Sequence, residues 1–161
     1  YSGSAKGVAS SMGLEEKVVS DYMKKFFGRY HQLKRWMEAQ QLKVKHGKVI
    51  KTPFGRRRRF YGMRYVRPMI LAEMERQAIN YVPQSIVADT TNYAAVRVHH
   101  RLKRLGLRSR IILILHDALY LESPDEEAEL AAKIVKEEME RPLPGTNFSL
   151  RAEVKISDKW E

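Results

Sequence analysis

Residues 111–123 read "IILILHDALYLES". Five aliphatic residues run straight into His116-Asp117, and the apolar pattern then resumes. Ile111 to Leu115 is short and rich in β-branched residues, which predicts a central strand. Leu119 to Glu122 alternates as a second strand, so His116-Asp117 falls at a tight turn between antiparallel strands. A carboxylate that interrupts such a run is expected to be partly buried, and burying it ionised is costly unless a cation, a metal or strong hydrogen bonds meet it. Two readings of Asp117 are open on this pattern. Hairpin turns favour Asp for local reasons, and a hard carboxylate held rigidly at a strand end also suits Mg²⁺. One carboxylate alone is not a site.

Working outward, residues 14–45 carry Val18, Val19, Tyr22, Met23, Phe26 and Phe27 at helical spacing, with Gly28 punctuating two helices. Gly47, Pro53, Gly55 and Gly62 break the segment that follows, and Val49-Ile50 favour extended pairing, so a short hairpin or loop is expected there. Residues 66–82 predict a helix opened near Pro68, and residues 83–106 a second one with Pro83 in its first turn and Gly106 at its end. Beyond the strand pair, 123–143 has a Ser-Pro start, acids in its first turn and Pro142 and Pro144 at its end, which predicts a helix. Residues 148–157 alternate as a final strand. The order is α+β with an antiparallel sheet.

The chain has 161 residues and no Cys, with a formal charge of +11 and a pI near 9.9. No apolar run approaches the roughly 18 residues of a membrane span. Disulfides and thiolate metal sites are excluded, which fits a reducing cytoplasm. Between Ala39 and Ala72 stand ten Lys/Arg and no acid, and from Thr90 to His116 six more, again without an acid. The acids crowd into 121–140. This distribution suggests a face for a polyanion, with nucleic acid the commonest partner. The dense run Arg56, Arg57, Arg58 and Arg59, flanked by Phe54, Phe60 and Tyr61, suits phosphate contact. Arg76 and Asn80 share one helix face, and Gln84 joins them if the helix continues past Pro83. Their donors suit base edges and sugars, but on the pattern alone an ordinary polar helix face is the better account. No Rossmann or P-loop glycine pattern occurs, and the histidines form no trusted metal spacing.

In order, "YSGSAKGVA" (1–9), "GRYHQLKRWME" (28–38), "KTPFGRRRRF" (51–60), "ERQAINYVPQSIVAD" (75–89), "ILHDALYLE" (114–122) and "VKISDKW" (154–160) resemble the C-terminal part of the family A, or DNA polymerase I-type, DNA polymerases. The resemblance implies a palm antiparallel sheet with flanking helices plus part of the helical fingers, an incomplete right-hand fold. Residues 1–65 would be the end of the fingers and the basic loop, and 66–161 the C-terminal part of the palm. It implies that Asp117 is one of two metal-binding catalytic aspartates and that His116 lies near the primer 3′ end. Arg76, Asn80 and Gln84 would line the minor groove, Tyr1 would sit near the templating base, and the loop at 55–59 would follow the duplex backbone. The chemistry implied is two-metal, Mg²⁺-dependent attack of the primer 3′-oxygen on the α-phosphate of a deoxynucleoside triphosphate.

The sequence departs from the family pattern at Ala118, where the family usually has Glu, and at Ser2 and Ser85, where it has Gly. Glu122 is no obvious substitute for the missing acid. The first palm aspartate belongs to a motif that would lie upstream of Tyr1. Asp21-Tyr22 does not replace it, being in the wrong order and lacking the motif's Ser and Glu. The expectation is therefore a chain inactive alone, completed by an N-terminal polymerase fragment or subunit that covers apolar sheet and helix faces. It would act on primer-template DNA in the cytoplasm of a bacterial or phage-infected cell, with no membrane partner. Two alternatives are a fragment of a single-subunit phage-type RNA polymerase, which shares a His-Asp palm motif, and a non-catalytic duplex-binding module.

Overall fold

The computed structural model describes residues 4–62, 66–143, 145 and 147–159. The chain divides into two compact units, Tyr1–Ser85 and Ile86–Glu161.

In the first unit, α1 (Ala5–Met12) starts at Ser4, whose hydroxyl accepts the Gly7 N–H at 3.1 Å, satisfying an orphan donor of the first turn. It stops at Gly13, whose left-handed φ of 65° lets its N–H return to the Ala9 carbonyl. Helices α2 (Glu16–Arg29) and α3 (His31–Lys45) meet at Tyr30, not at the expected Gly28. A lone glycine costs a helix only about 1 kcal/mol, and the rings of Phe26 and Tyr30, 4.8 Å apart, hold the last turn of α2 past it. Strands β1 (Ile50–Lys51) and β2 (Arg57–Arg58) form the expected hairpin, with Ile50 opposite Arg58 and Lys51 opposite Arg57.

Helix α4 (Pro68–Arg104) opens at Pro68 as predicted but runs on through Pro83, so the two expected helices are one. A proline inside a helix costs about 3 kcal/mol through its missing N–H and its ring. Here the ring faces solvent, while Ala78, Ile79, Val82 and Ser85 around it are buried. Burial of that face offsets the lost bond, which local propensity could not register.

In the second unit, β3 (Arg110–Leu115) pairs antiparallel with β4 (Ala118–Glu122), from Arg110 opposite Glu122 to Leu115 opposite Ala118. An irregularity lies between Ile111 and Leu113. Ile111, Leu119 and Leu121 pack on a core of Val98, Leu102, Ala131, Ile134 and Val135 from α4 and α5 (Asp125–Met139). Among the described residues β3 pairs with β4 alone, and Ile112, Leu113, Ile114 and Leu115 are exposed. The predicted strand at 148–157 is irregular chain. Its alternation is real, but a strand needs a ladder partner, and among the described residues none lies beside it.

Acidic side chains lock this unit together. The buried Glu138 carboxylate accepts Arg97 Nε at 3.1 Å and Arg101 Nη1 at 3.2 Å, pairs with Arg141 at 3.2 Å, and its carbonyl takes Arg97 Nη2 at 2.7 Å. Glu127 accepts the backbone N–H groups of Arg108 and Ser109 at 3.0 and 2.8 Å and the Ser109 hydroxyl at 2.6 Å. These bonds, with that of the Ser109 hydroxyl first, hold its carboxyl below the ordinary value of 4.5. They fix the entry to β3.

Candidate active site and nucleic-acid interface

His116 and Asp117 form the two-residue tip of the β3–β4 hairpin. Strand pairing up to Leu115 and Ala118 leaves no residue to spare, so the turn closes through a left-handed His116 with φ of 54°. That conformation is sparse for residues other than glycine, though His, Asn and Asp tolerate it better than most. Asp117 is exposed, not partly buried as expected. The partly buried stretch Ala118–Leu121 ends at the tip, and the turn lifts the carboxylate clear. A cavity of about 430 Å³ opens beside it, lined by Thr90, Ala94, Ala118 and residues 150–155.

Among the described residues no group of three or more His, Asp or Glu could hold a metal ion. Glu122 is committed to Arg110, 2.7 Å away across the strand pair. The residues present thus offer one carboxylate and do not by themselves fit a two-ion site.

On α4, Arg76, Asn80 and Gln84 are spaced by four residues in one continuous helix, so all three share a face. Arg76 and Gln84 are exposed. The Asn80 Oδ1 atom is buried with no hydrogen-bond partner among the described residues. An acceptor left so costs about 1–3 kcal/mol. Arg76 lies against Glu73, donating Nε to it at 3.1 Å with a second, shorter bond from Nη2. Tyr1 and Ser2 lie outside the described residues.

Of the arginine run, Arg57 and Arg58 form the strand and face opposite sides, and Arg56 ahead of it is exposed. Successive side chains of a strand point to opposite faces. Arg57 and Arg59 are exposed, while Arg58 is half-buried and Phe60 buried. Arg58 donates to Gln77 Oε1 at 2.6 Å and lies 5.1 Å from the Phe60 ring centre and 5.5 Å from that of Tyr81, favourable cation–π distances. It seats the hairpin on α4 and is not a free phosphate contact. The turn that sets this parity is held by Thr52, whose carbonyl accepts the Gly55 N–H at 2.9 Å and whose hydroxyl accepts the Arg56 N–H at 3.1 Å. Pro53 and Gly55 (φ 89°) occupy positions that such a turn favours.

The second basic stretch behaves otherwise. Arg97, Arg101, Arg108 and Arg110 pair with Glu138, Glu137, Glu126 and Glu122 respectively. The acids of 121–140 therefore neutralise four of the six basic residues of this stretch, and the hairpin of the first unit is the better anion surface. Glu73 and Gln77, which bind Arg76 and Arg58, are not among the residues the sequence singles out; the spacing of Glu73 with Arg76 (i, i+3) and with Gln77 (i, i+4) was the available signal.

The family model for DNA polymerase family A matches residues 1–161. The chain belongs to that family. It is 32% identical over 162 residues to a DNA polymerase I of Chloroflexus aurantiacus and 30% identical over 166 residues to one of Rhizobium leguminosarum, in both cases across 100% of this chain. It spans only 17% and 16% of those relatives' lengths. Its fold is similar to the POL domain of Pol1 from M. smegmatis, solved with DNA primer-template and dNTP. The TM-score is 0.77 at 27% identity, covering 87% of this chain and 25% of that one. Among the described residues no helix is long and apolar enough to cross a membrane.

Proposed function

We propose that this chain forms the end of the fingers with the basic loop (1–65) and the C-terminal part of the palm (66–161) of a template-directed DNA polymerase that extends a primer 3′ end with deoxynucleotides. The observation that carries the reading is the exposed His116–Asp117 tip in a chain matched throughout by this family. Asp117 serves as one Mg²⁺ ligand of the completed site, whose second aspartate comes from outside this chain, and His116 lies by the primer end. Arg76, Asn80 and Gln84 face the minor groove, where donors that share one helix face meet base and sugar acceptors. Tyr1 adjoins the templating base. Arg56, Arg57 and Arg59 follow the duplex backbone, while Arg58 holds the hairpin that presents them.

The chain alone is inactive, and an N-terminal polymerase segment completes it. The exposed apolar strand Ile112–Leu115 and the exposed Tyr22, Phe26 and Tyr30 support a covering partner. Membership of a DNA polymerase family favours the DNA enzyme over an RNA polymerase. Its setting is the cytoplasm of a bacterial or phage-infected cell. The test is primer extension by the completed protein carrying Asp117→Asn, alongside duplex binding. Loss of extension by at least about a hundredfold with binding retained is expected, since electrostatic groups at a reacting centre contribute on that scale. Retained extension would remove Asp117 from the chemistry, and extension by the isolated chain would refute its dependence on a partner.

A further inference from the structure

We propose that Glu73 and Gln77 are positioning residues that preset Arg76, and through Arg58 the basic hairpin, for duplex DNA. The proposal rests on the reading above that Arg76 and the hairpin contact primer-template. Glu73, Arg76 and Gln77 stand at i, i+3 and i+4 of α4, where side chains meet. Glu73 Oε2 accepts both bonds from Arg76, and Glu73 Oε1 accepts Gln77 Nε2 at 3.2 Å. Gln77 Oε1 in turn accepts Arg58 Nη2 at 2.6 Å. Chemistry fixes the amide's orientation. Arg58 has only donors and an ionised Glu73 only acceptors, so the Gln77 oxygen must face the arginine and its nitrogen the carboxylate. A continuous chain of bonds results, Arg58 to Gln77 to Glu73 to Arg76, joining the basic hairpin to the helix. The bonds from Arg76, then that from Gln77, hold the Glu73 carboxyl below its ordinary value, so the chain stays ionised at neutral pH.

Folding stability does not account for this arrangement. The Arg76 and Glu73 side chains are 46% and 51% exposed, and exposed pairs contribute little. What a two-bond fork does is fix the plane of a guanidinium, so less freedom is lost when a ligand arrives. The sign of the effect separates positioning from mere proximity. An acid standing beside a DNA-binding arginine repels phosphate, so removing a bystander tightens binding. Removing a brace weakens it.

The experiment is an anisotropy titration of labelled primer-template duplex with the 161-residue chain across a salt series, with melting temperatures alongside. Arg76→Ala is expected to weaken binding. Glu73→Ala is expected to weaken it about threefold to tenfold, the range of one or two net hydrogen bonds, and Glu73→Gln, which keeps an acceptor oxygen, to recover part of the loss. Glu73→Ala combined with Arg76→Ala should bind no more weakly than Arg76→Ala alone. Gln77→Ala should weaken binding without changing the salt slope, because it removes no phosphate contact. Binding unchanged or tightened by Glu73→Ala overturns the proposal, as does full additivity with Arg76→Ala, or a loss that follows melting temperature and is not recovered by Glu73→Gln. If instead Arg76→Ala leaves duplex binding untouched, the contact between Arg76 and DNA is what fails.

Discussion

Replacing Glu138 by Gln keeps the shape of the side chain and removes its charge from the middle of three guanidinium groups. The carboxylate is 7% exposed and the Arg97 and Arg101 side chains 27% and 28%, whereas Arg141 is 58% exposed. Arg141 therefore contributes below about 1 kcal/mol. Removing one partner of a fully buried pair costs about 3–5 kcal/mol. Here the quarter exposure of Arg97 and Arg101 moves the expected cost to the lower end, about 3 kcal/mol, and the bond from Arg97 Nη2 to the Glu138 carbonyl survives the change. For a chain of this size that corresponds to a fall in Tm of roughly 6–12 °C. Urea unfolding followed by far-UV circular dichroism should show a lower midpoint at unchanged slope. A loss under about 1 kcal/mol would refute the reasoning, because the guanidinium groups would then be satisfied by solvent.

Further outcomes follow from the same bonds. Arg57→Ala should lower the slope of log K against log salt for duplex binding by about 0.9, the signature of one phosphate contact. Arg58→Met should instead lower the melting temperature, which Arg57→Ala leaves alone; equal behaviour of the two would contradict their opposite sides. Glu127 has a folded pKa depressed below 4.5, so its stabilising contribution is complete above that value and is lost as pH falls through the lower folded value. Wild-type melting temperature should drop on acidification below about pH 5, and Glu127→Gln should give a shallower curve; parallel curves would count against it. Pro83→Ala should stabilise the chain by about 1–2 kcal/mol, the restored helix bond less the freedom returned to the unfolded chain. A destabilised variant would show that α4 needs its proline.

The hairpin at 110–122 was legible because its signal is local: an apolar run, two polar residues and an alternating return. The ladder of Arg76, Asn80 and Gln84 was legible only conditionally. Pro83 breaks every local rule for a helix, and what carries α4 through is the burial of Ala78, Ile79 and Val82, a tertiary fact. The alternation of 148–157 says which side chains could share a face but nothing about a neighbouring strand. Charge was the least legible property. Arg97 and Glu138 lie 41 positions apart, and no count along the chain shows that they neutralise each other. The exposure of Asp117 follows from turn geometry, which the surrounding hydrophobicity obscured.

The turn from Thr52 to Arg56 also acts as a counter. Four identical residues follow one another at 56–59, so composition cannot say which of them seats the hairpin and which meet solvent. The number of residues in the turn does. One inserted residue would leave the text of the run unchanged, yet it would carry Arg58 out to solvent and turn Arg57 toward Gln77 and Tyr81. In this segment length is as much a part of the code as identity.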